Sequence, residues 1–357
     1  MHMPSLAQET ATALPTSSEP PAPSAAASAP ATPQPAGRYT ARVDAVHPVC
    51  PGVVSIELRP ACAEESFPAF EAGAHVDLHL PGGMVRSYSL HNAPGESKRY
   101  AIGVLKDSAS RGGSRWIHEH LRAGAQIGMS APRNLFALDE QQAAHSVFVA
   151  GGIGVTPILS MLRRLVQLGR GAHVIACARS RASAPFLDEL TQLVGHGLSL
   201  HTHFDDEAGG PPSLHALLAA HQPHDHFYCC GPSPMLAGFE AACAALGFAN
   251  VHVERFKAEQ AAVPTTALTG TCTVELRKSG VTLELPKNKP ALQAFLDAGV
   301  DIEFSCEEGV CGACETRILE GEAEHRDSVL SGAQKAAQKS MMVCVSRCRS
   351  DRMVLDL

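Results

Sequence analysis

From Tyr39 the chain alternates apolar and polar positions with a period of two, in Tyr39-Thr-Ala-Arg-Val-Asp-Ala-Val, Val54-Ser-Ile-Glu-Leu, Ala74-His-Val-Asp-Leu-His-Leu, Arg86-Ser-Tyr-Ser-Leu and Tyr100-Ala-Ile-Gly-Val-Leu. Successive strand residues face opposite sides, so these short runs, split by Pro and Gly, predict a small antiparallel β-barrel over 38–138. The rhythm then changes. Ser146-Val-Phe-Val-Ala is apolar nearly throughout, meets a Gly-rich turn and leads into the helical stretch Pro157-Ile-Leu-Ser-Met-Leu-Arg-Arg-Leu-Val. A second run, His173-Val-Ile-Ala-Cys-Ala, and a third, Asp225-His-Phe-Tyr-Cys-Cys, alternate with helices, which predicts a parallel-sheet α/β domain over 139–257. Residues 258–270 keep neither period and read as a linker. Beyond them Cys272-Thr-Val-Glu-Leu and Val281-Thr-Leu-Glu-Leu, separated around Lys278-Ser-Gly, predict a hairpin, and a helix follows from about Ala291 to Ala298, opening an α+β domain over 271–357.

Residues 1–37 show no period at all. They are rich in Ala, Pro, Ser and Thr without a single Lys or Arg, a composition that cannot bury enough apolar surface to offset chain entropy, so a disordered tail is expected. The absence of Arg there also argues against a mitochondrial transit peptide. With a formal net charge of −7 the chain has no basic excess to suggest nucleic acid, and no apolar run is long enough to cross a membrane. A cytoplasmic location is expected.

Twelve cysteines in such a chain point to metal or catalysis rather than to disulfides, and their spacing decides between these. Phe304-Ser-Cys-Glu-Glu-Gly-Val-Cys-Gly-Ala-Cys-Glu places Cys306, Cys311 and Cys314 as Cys-x4-Cys-x2-Cys, and Cys344 follows after 29 intervening residues. That is the spacing of a plant-type [2Fe–2S] ferredoxin. Zinc sites are usually built from two separated knuckles, whereas here one loop carries three ligands. Gly309 and Gly312 are expected to let backbone N–H groups approach the sulfides. Cys348 competes with Cys344 for the fourth position. Cys344 is preferred because Met342-Val-Cys-Val is apolar, whereas Arg347-Cys-Arg-Ser reads as solvated; Cys348 and Cys272 are then inert thiols.

Arg86-Ser-Tyr-Ser resembles the flavin strand, Arg-x-Tyr-Ser/Thr, of the ferredoxin-NADP⁺ reductase superfamily. In that likeness Arg86 holds a flavin phosphate, Tyr88 lies along the ribityl chain and Ser89 reaches flavin N5, with Ser87 and Val104 beside them. Ser110-Arg-Gly-Gly-Ser, ahead of an apparent helix at Arg115, offers the N–H groups of Gly112 and Gly113 to a phosphate, with Ser114 as the helix cap. One phosphate cradle and no further segment for an adenine favour FMN over FAD. Gly151-Gly-Ile-Gly-Val-Thr-Pro resembles the pyrophosphate turn of the same superfamily, with Gly151, Gly152 and Gly154 giving backbone N–H groups, Thr156 a hydroxyl donor and Pro157 in the first helical turn. Cys230-Gly231-Pro232 follows the third apolar run, and the likeness places Cys230 beside the nicotinamide and Phe256 at the flavin. Arg179-Ser180-Arg181 is placed to meet the adenine ribose. Two arginines there would suit a 2′-phosphate, yet the similar reductases are NADH enzymes, and NADH is favoured. The histidines at 201, 203, 221, 224 and 226 read as a surface loop rather than a metal site.

In this order, barrel, nucleotide domain and ferredoxin domain resemble the phthalate dioxygenase reductase family, which includes vanillate demethylase reductases, over about residues 38–357. The resemblance implies a multidomain fold, with an antiparallel flavin β-barrel, a parallel-sheet nucleotide domain and a β-grasp ferredoxin domain. It further implies a relay from NADH through FMN and the [2Fe–2S] centre to a Rieske-type terminal oxygenase acting on an aromatic or similar substrate. Rivals are the same build serving a P450 or another acceptor, and a redox sensor without turnover. Ten acidic residues lie between Asp297 and Asp327 against Arg317 and Arg326, so the surface around the cluster loop is expected to be negative and to meet a basic patch on the oxygenase.

Overall fold

The computed structural model describes residues 38–108, 111–141, 145–257 and 268–357; the expected tail at 1–37, Ser110 and most of the expected linker lie outside them. Three sheets organise the rest. The first is antiparallel, with strands β1 (Arg38–Cys50), β2 (Val53–Pro60), β3 (His75–His79), β4 (Val85–Ser89), β5 (Tyr100–Leu105) and β6 (Gln126–Ser130) in the order β4-β3-β6-β1-β2-β5. Its two edges meet through a bridge between Leu90 and Ile102 and a hydrogen bond from His91 N to Ala101 O of 2.8 Å, so the sheet closes on itself. The alternation explains the interior: Val43, Ile56, Leu58, Val76, Leu78 and Ile102 all point into it and are fully buried. Helix α1 (Gly113–His120) covers one end.

The second sheet is parallel and has five strands: β7 (Ser146–Gly151), β8 (Ala172–Ala178), β9 (Leu198–Phe204), β10 (His226–Cys230) and β11 (Val251–Glu254). Between them run α2 (Val155–Gln167), α3 (Leu187–Leu193), α4 (Asp205–Ala208), α5 (Leu214–Leu218) and α6 (Ser233–Leu246). In β7 Val147 and Val149 pack with one core and Phe148 and Ala150 with another, which is why a central strand covered on both faces reads as a continuous apolar run. Strand β9 was not anticipated: its Leu-Ser-Leu-His-Thr-His-Phe pattern is that of a half-exposed edge, and the run ending at Cys230 is therefore the fourth strand rather than the third. The order β11-β10-β7-β8-β9 reverses direction between β7 and β10, and open α/β sheets bind ligands at such a reversal.

The third sheet joins β12 (Thr271–Leu276), β13 (Val281–Pro286), β14 (Glu315–Glu320), β16 (Ser340–Met342) and β18 (Arg352–Leu355), with the small pair β15 (Ala323–Glu324) and β17 (Arg347–Cys348) at its side. The hairpin β12–β13 is antiparallel, as its sequence suggests, while β12 and β18 run parallel. Helix α7 (Leu292–Asp297) packs Leu292 and Phe295 on the sheet, and α8 (Gly332–Ala337) precedes β16. Among the described residues no helix is long and apolar enough to cross a membrane.

Candidate functional site

Strand β4 ends at the mouth of a cleft of about 160 Å³, bordered by residues of all three domains, among them Arg86, Ser89, Glu254, Phe256 and Cys311. On one side of it, Arg86 lies against Gly113: a Cβ added there would sit 2.7 Å from Arg86 Cγ and 2.9 Å from its Nε. The guanidinium and the start of α1 thus converge, as an anion cradle requires. The helix begins two residues earlier than expected. Gly112, with φ of 100°, is the N-cap, because only a residue without a side chain takes that conformation cheaply. Ser114 is therefore not the cap; its hydroxyl accepts from Asp107 N at 3.3 Å. Ser87 borders the cleft but donates to Asp77 Oδ1 at 2.7 Å. Tyr88 is half-buried against the barrel core. The Val104 side chain is fully buried in that core, away from the cleft, because the strand period turns it inward. Phe256 is 38 % exposed and faces the cleft rather than packing in a core.

At the sheet reversal the two glycine motifs meet backbone to backbone. A Cβ on Gly154 would lie 2.2 Å from Cys230 O, and one on Gly151 would lie 2.8 Å from Pro232 Cδ and 3.1 Å from Gly231 Cα. Residues far apart in sequence thus form one platform at the carboxyl ends of β7 and β10. Gly152 needs its positive φ of 53° to turn the chain into α2, and Pro157 sits in the first turn of that helix, where an N–H would lack a partner. Thr156 corrects an expectation: it is buried and its hydroxyl donates to Ile153 O at 3.0 Å, so it holds the turn together from within. Its methyl packs against Gly103 of the barrel, where a Cβ would lie 2.6 Å from it. After β8, Ser180 spends its hydroxyl capping a short turn with Ser183. Arg179 and Arg181 are both exposed, but Arg181 is held by Glu207 through two contacts of 3.2 Å and lies 4.4 Å over the Phe204 ring.

The thiol of Cys230 is fully buried, and burial pushes it up, so it stays a neutral group rather than a nucleophile. It donates to Glu254 Oε2 at 3.8 Å, and Glu254 is also hydrogen-bonded to Ser89, which is itself buried. Burial raises the Glu254 carboxyl to about 8, and a ring stacked in the cleft would enclose it further. Glu254 is a cleft residue that sequence reasoning did not single out. Its only signal was a carboxylate at the end of an apolar β-run, beside the Arg-Phe that was noticed.

The four ligand cysteines come together. The thiols of Cys306 and Cys311 touch, as do those of Cys314 and Cys344, and Cys306 also reaches Cys344. Their sulfurs collect backbone donors, Glu308 N to Cys306 Sγ at 3.3 Å and Cys306 N to Cys311 Sγ at 3.4 Å. Among the described residues no three His, Cys, Asp or Glu side chains are arranged to hold a single metal ion. Four buried thiols in mutual contact, three from one loop and the fourth from Cys344, would suit the ligand set of a binuclear cluster. The glycines of the loop are also required by packing. Both need positive φ, and their bare faces meet protein: a Cβ on Gly309 would lie 2.6 Å from Val345 Cγ2, and one on Gly312 would lie 3.0 Å from Leu135 Cδ1. Cys348 is not solvated. The β15–β17 pair turns it inward, where its thiol meets Cys272 and lies 3.7 Å from Met353 Sδ, well apart from the other four.

Comparison with known proteins identifies two of the domains. Residues 148–241 match the oxidoreductase NAD-binding domain, and residues 274–349 match the 2Fe-2S iron-sulfur cluster binding domain. The chain is 46% identical to the phenoxybenzoate dioxygenase subunit beta of Ectopseudomonas oleovorans over 88% of this chain and 96% of that protein. Among solved structures it is similar to phthalate dioxygenase reductase, described as a modular structure for electron transfer from pyridine nucleotides to [2Fe-2S], with a TM-score of 0.65 and 35% identity over 90% of this chain and 98% of that one. It is also similar to an intact type IV self-sufficient cytochrome P450 monooxygenase, with a TM-score of 0.79 and 35% identity over 90% of this chain and 41% of that one.

Proposed function

The chain belongs to the phthalate dioxygenase reductase family, and from that premise we propose that it takes hydride from NADH and delivers single electrons to a Rieske-type oxygenase acting on an aromatic or similar substrate. It is an oxidoreductase with NADH, FMN and a [2Fe–2S] cluster as cofactors, and its relatives are subunits of oxygenase systems. When bound, NADH supplies a hydride, FMN accepts its two electrons and the cluster carries them one at a time.

The protein's own residues do the arranging. Arg86 and the N–H groups at Gly112 and Gly113 would hold the flavin phosphate. The Gly151–Gly154 turn would take the pyrophosphate, and Arg179 with Arg181 the adenine ribose. Ser89 and Cys230, joined through Glu254, would fix the two reacting rings face to face, and Phe256 would shield them from water. Glu254 keeps its proton at neutral pH, so no negative charge faces the ring that receives the hydride. Cys306, Cys311, Cys314 and Cys344 would ligate the irons, with Cys306 and Cys311 on the other wall of the same cleft.

The observation that carries the reading is this shared cleft: Ser89, Glu254 and Cys311 all border it. The test is anaerobic stopped-flow with NADH and a purified Rieske oxygenase. Flavin bleaching, then cluster bleaching, then reduction of the oxygenase centre is expected. A P450 acceptor is the rival reading, because the same arrangement is similar to part of a self-sufficient P450. Reduction of a P450 in place of the Rieske centre would establish it, and failure of NADH to bleach the flavin would leave only a sensor.

A further inference from the structure

The flavin side of the cleft and the cluster loop are joined by more than proximity. Arg111 directly precedes Gly112, the N-cap of the helix that faces the flavin phosphate, yet its guanidinium reaches across the cleft. Its Nη2 donates to the carbonyl of Cys306 at 2.7 Å and pairs with Glu308 Oε1 at 3.0 Å. Two further contacts follow the same seam. Ser87 Oγ of β4 lies 3.2 Å from Ser305 Oγ, and Leu135 fills the space left by the absent side chain of Gly312. The partners are 195 residues apart in sequence, and they fall on the peptide of a ligand cysteine rather than on remote surface.

We propose that Arg111 is a positioning residue that clamps the cluster loop to the phosphate loop, setting the flavin-to-cluster approach and easing electron arrival at the cluster. The inference rests on the relay proposed above. Arginine suits the task because its fork offers several donors at fixed angles and never loses its charge. One donor fixes the Cys306 carbonyl while the charge satisfies Glu308, whose carboxylate would otherwise face the cluster uncompensated. A cluster that gains one electron gains one negative charge. A cation on the peptide of its ligand favours the reduced form and raises its reduction potential. Because Arg111 is contiguous with the phosphate loop, ordering that loop orders the clamp, and by linkage each favours the other.

The test uses the full holoprotein, wild type against Arg111→Ala and Arg111→Lys, with flavin and iron content measured for each. Three readouts are taken: stopped-flow bleaching of flavin and then of cluster on mixing with NADH, the cluster midpoint by EPR-monitored titration, and hydrogen exchange of the amides at 305–309. In Arg111→Ala the flavin phase keeps its rate. The cluster phase slows about tenfold, the value expected when one charged hydrogen bond of the docked state is lost. The midpoint falls and the 305–309 amides exchange faster. Wild-type cluster kinetics with an unchanged midpoint would overturn the proposal. So would a loss of flavin content matching the loss of rate, since Arg111 would then be a phosphate ligand only. Should Arg111→Ala fail to fold, Arg111→Lys decides: it keeps the charge but loses the fork that meets Cys306 and Glu308 together, so the 305–309 amides are expected to exchange faster, and unchanged exchange there would overturn the clamp. A flavin that NADH does not bleach would instead count against the relay itself.

Discussion

The thiol of Cys230 and the carboxyl of Glu254 are hydrogen-bonded at 3.8 Å, at the ends of adjacent parallel strands. Since burial raises the carboxyl to about 8, it is neutral at pH 7 and charged above 8. Electron density arriving in the cleft would then meet a negative neighbour, so NADH-driven flavin bleaching is expected to slow as pH rises through 8. In Glu254→Gln the rate stays at its low-pH value throughout; an inflection persisting in that variant would refute the assignment. The same shift has a stability consequence. A carboxyl whose folded value lies above its unfolded one contributes stability that is fully present below about 4.5 and is lost as pH rises to 8. Thermal melts of the flavin-free protein should therefore fall over that window, and less so in Glu254→Gln.

Nucleotide preference is expected to reside in Glu207. It occupies the guanidinium of Arg181 and presents a negative charge where a 2′-phosphate would sit. The pair is exposed, so the effect is modest: Glu207→Gln should raise kcat/KM for NADPH relative to NADH by about fivefold, the range of a surface ion pair. The same ratio in both proteins would mean that Arg181 does not meet the ribose.

The two candidates for the fourth iron ligand separate cleanly. Cys344→Ser should abolish the visible cluster spectrum. Cys348→Ser should keep it while destabilising the domain by about 1–3 kcal/mol, because a more polar hydroxyl would replace the buried thiol between Cys272 and Met353. Loss of the spectrum in Cys348→Ser would reverse the choice.

What the sequence made legible is what sits close together along the chain. The Cys-x4-Cys-x2-Cys loop and the glycine turns encode their own backbone geometry, so residue type and spacing sufficed. Cys348 misled because flanking arginines suggest solvent, whereas a strand turns alternate residues in opposite directions. Thr156 misled because a hydroxyl can serve its own turn as readily as a ligand. Strand β9 hid behind histidines on its half-exposed faces. Glu254 and Arg111 were illegible for a different reason: their partners, Ser89 and Cys230 for one and Cys306 for the other, are distant in sequence, and only the packing of three sheets around one cleft brings them together.

Charge on the far side of the cluster loop sets the last expectation. Of its carboxylates, Glu308 is paired with Arg111, Glu320 with Arg352 and Glu324 with Arg326, and Asp327 is buried. Asp297, Asp301, Glu303, Glu307, Glu315 and Glu322 are exposed and form no ion pair with Lys or Arg among the described residues. Six of the ten carboxylates between Asp297 and Asp327 thus stay exposed and uncompensated, and three of them, Asp301, Glu303 and Glu307, flank Cys306 in sequence. Exposed charges act over about a Debye length, roughly 8 Å at physiological salt, so they guide encounter with a partner but hardly affect transfer within the chain. Electron delivery to the oxygenase should therefore slow as salt rises, while cluster bleaching by NADH does not. Glu303→Lys should lower the association rate at low salt and flatten the salt dependence. A delivery rate independent of salt in the wild type would remove the acidic segment from the docking surface.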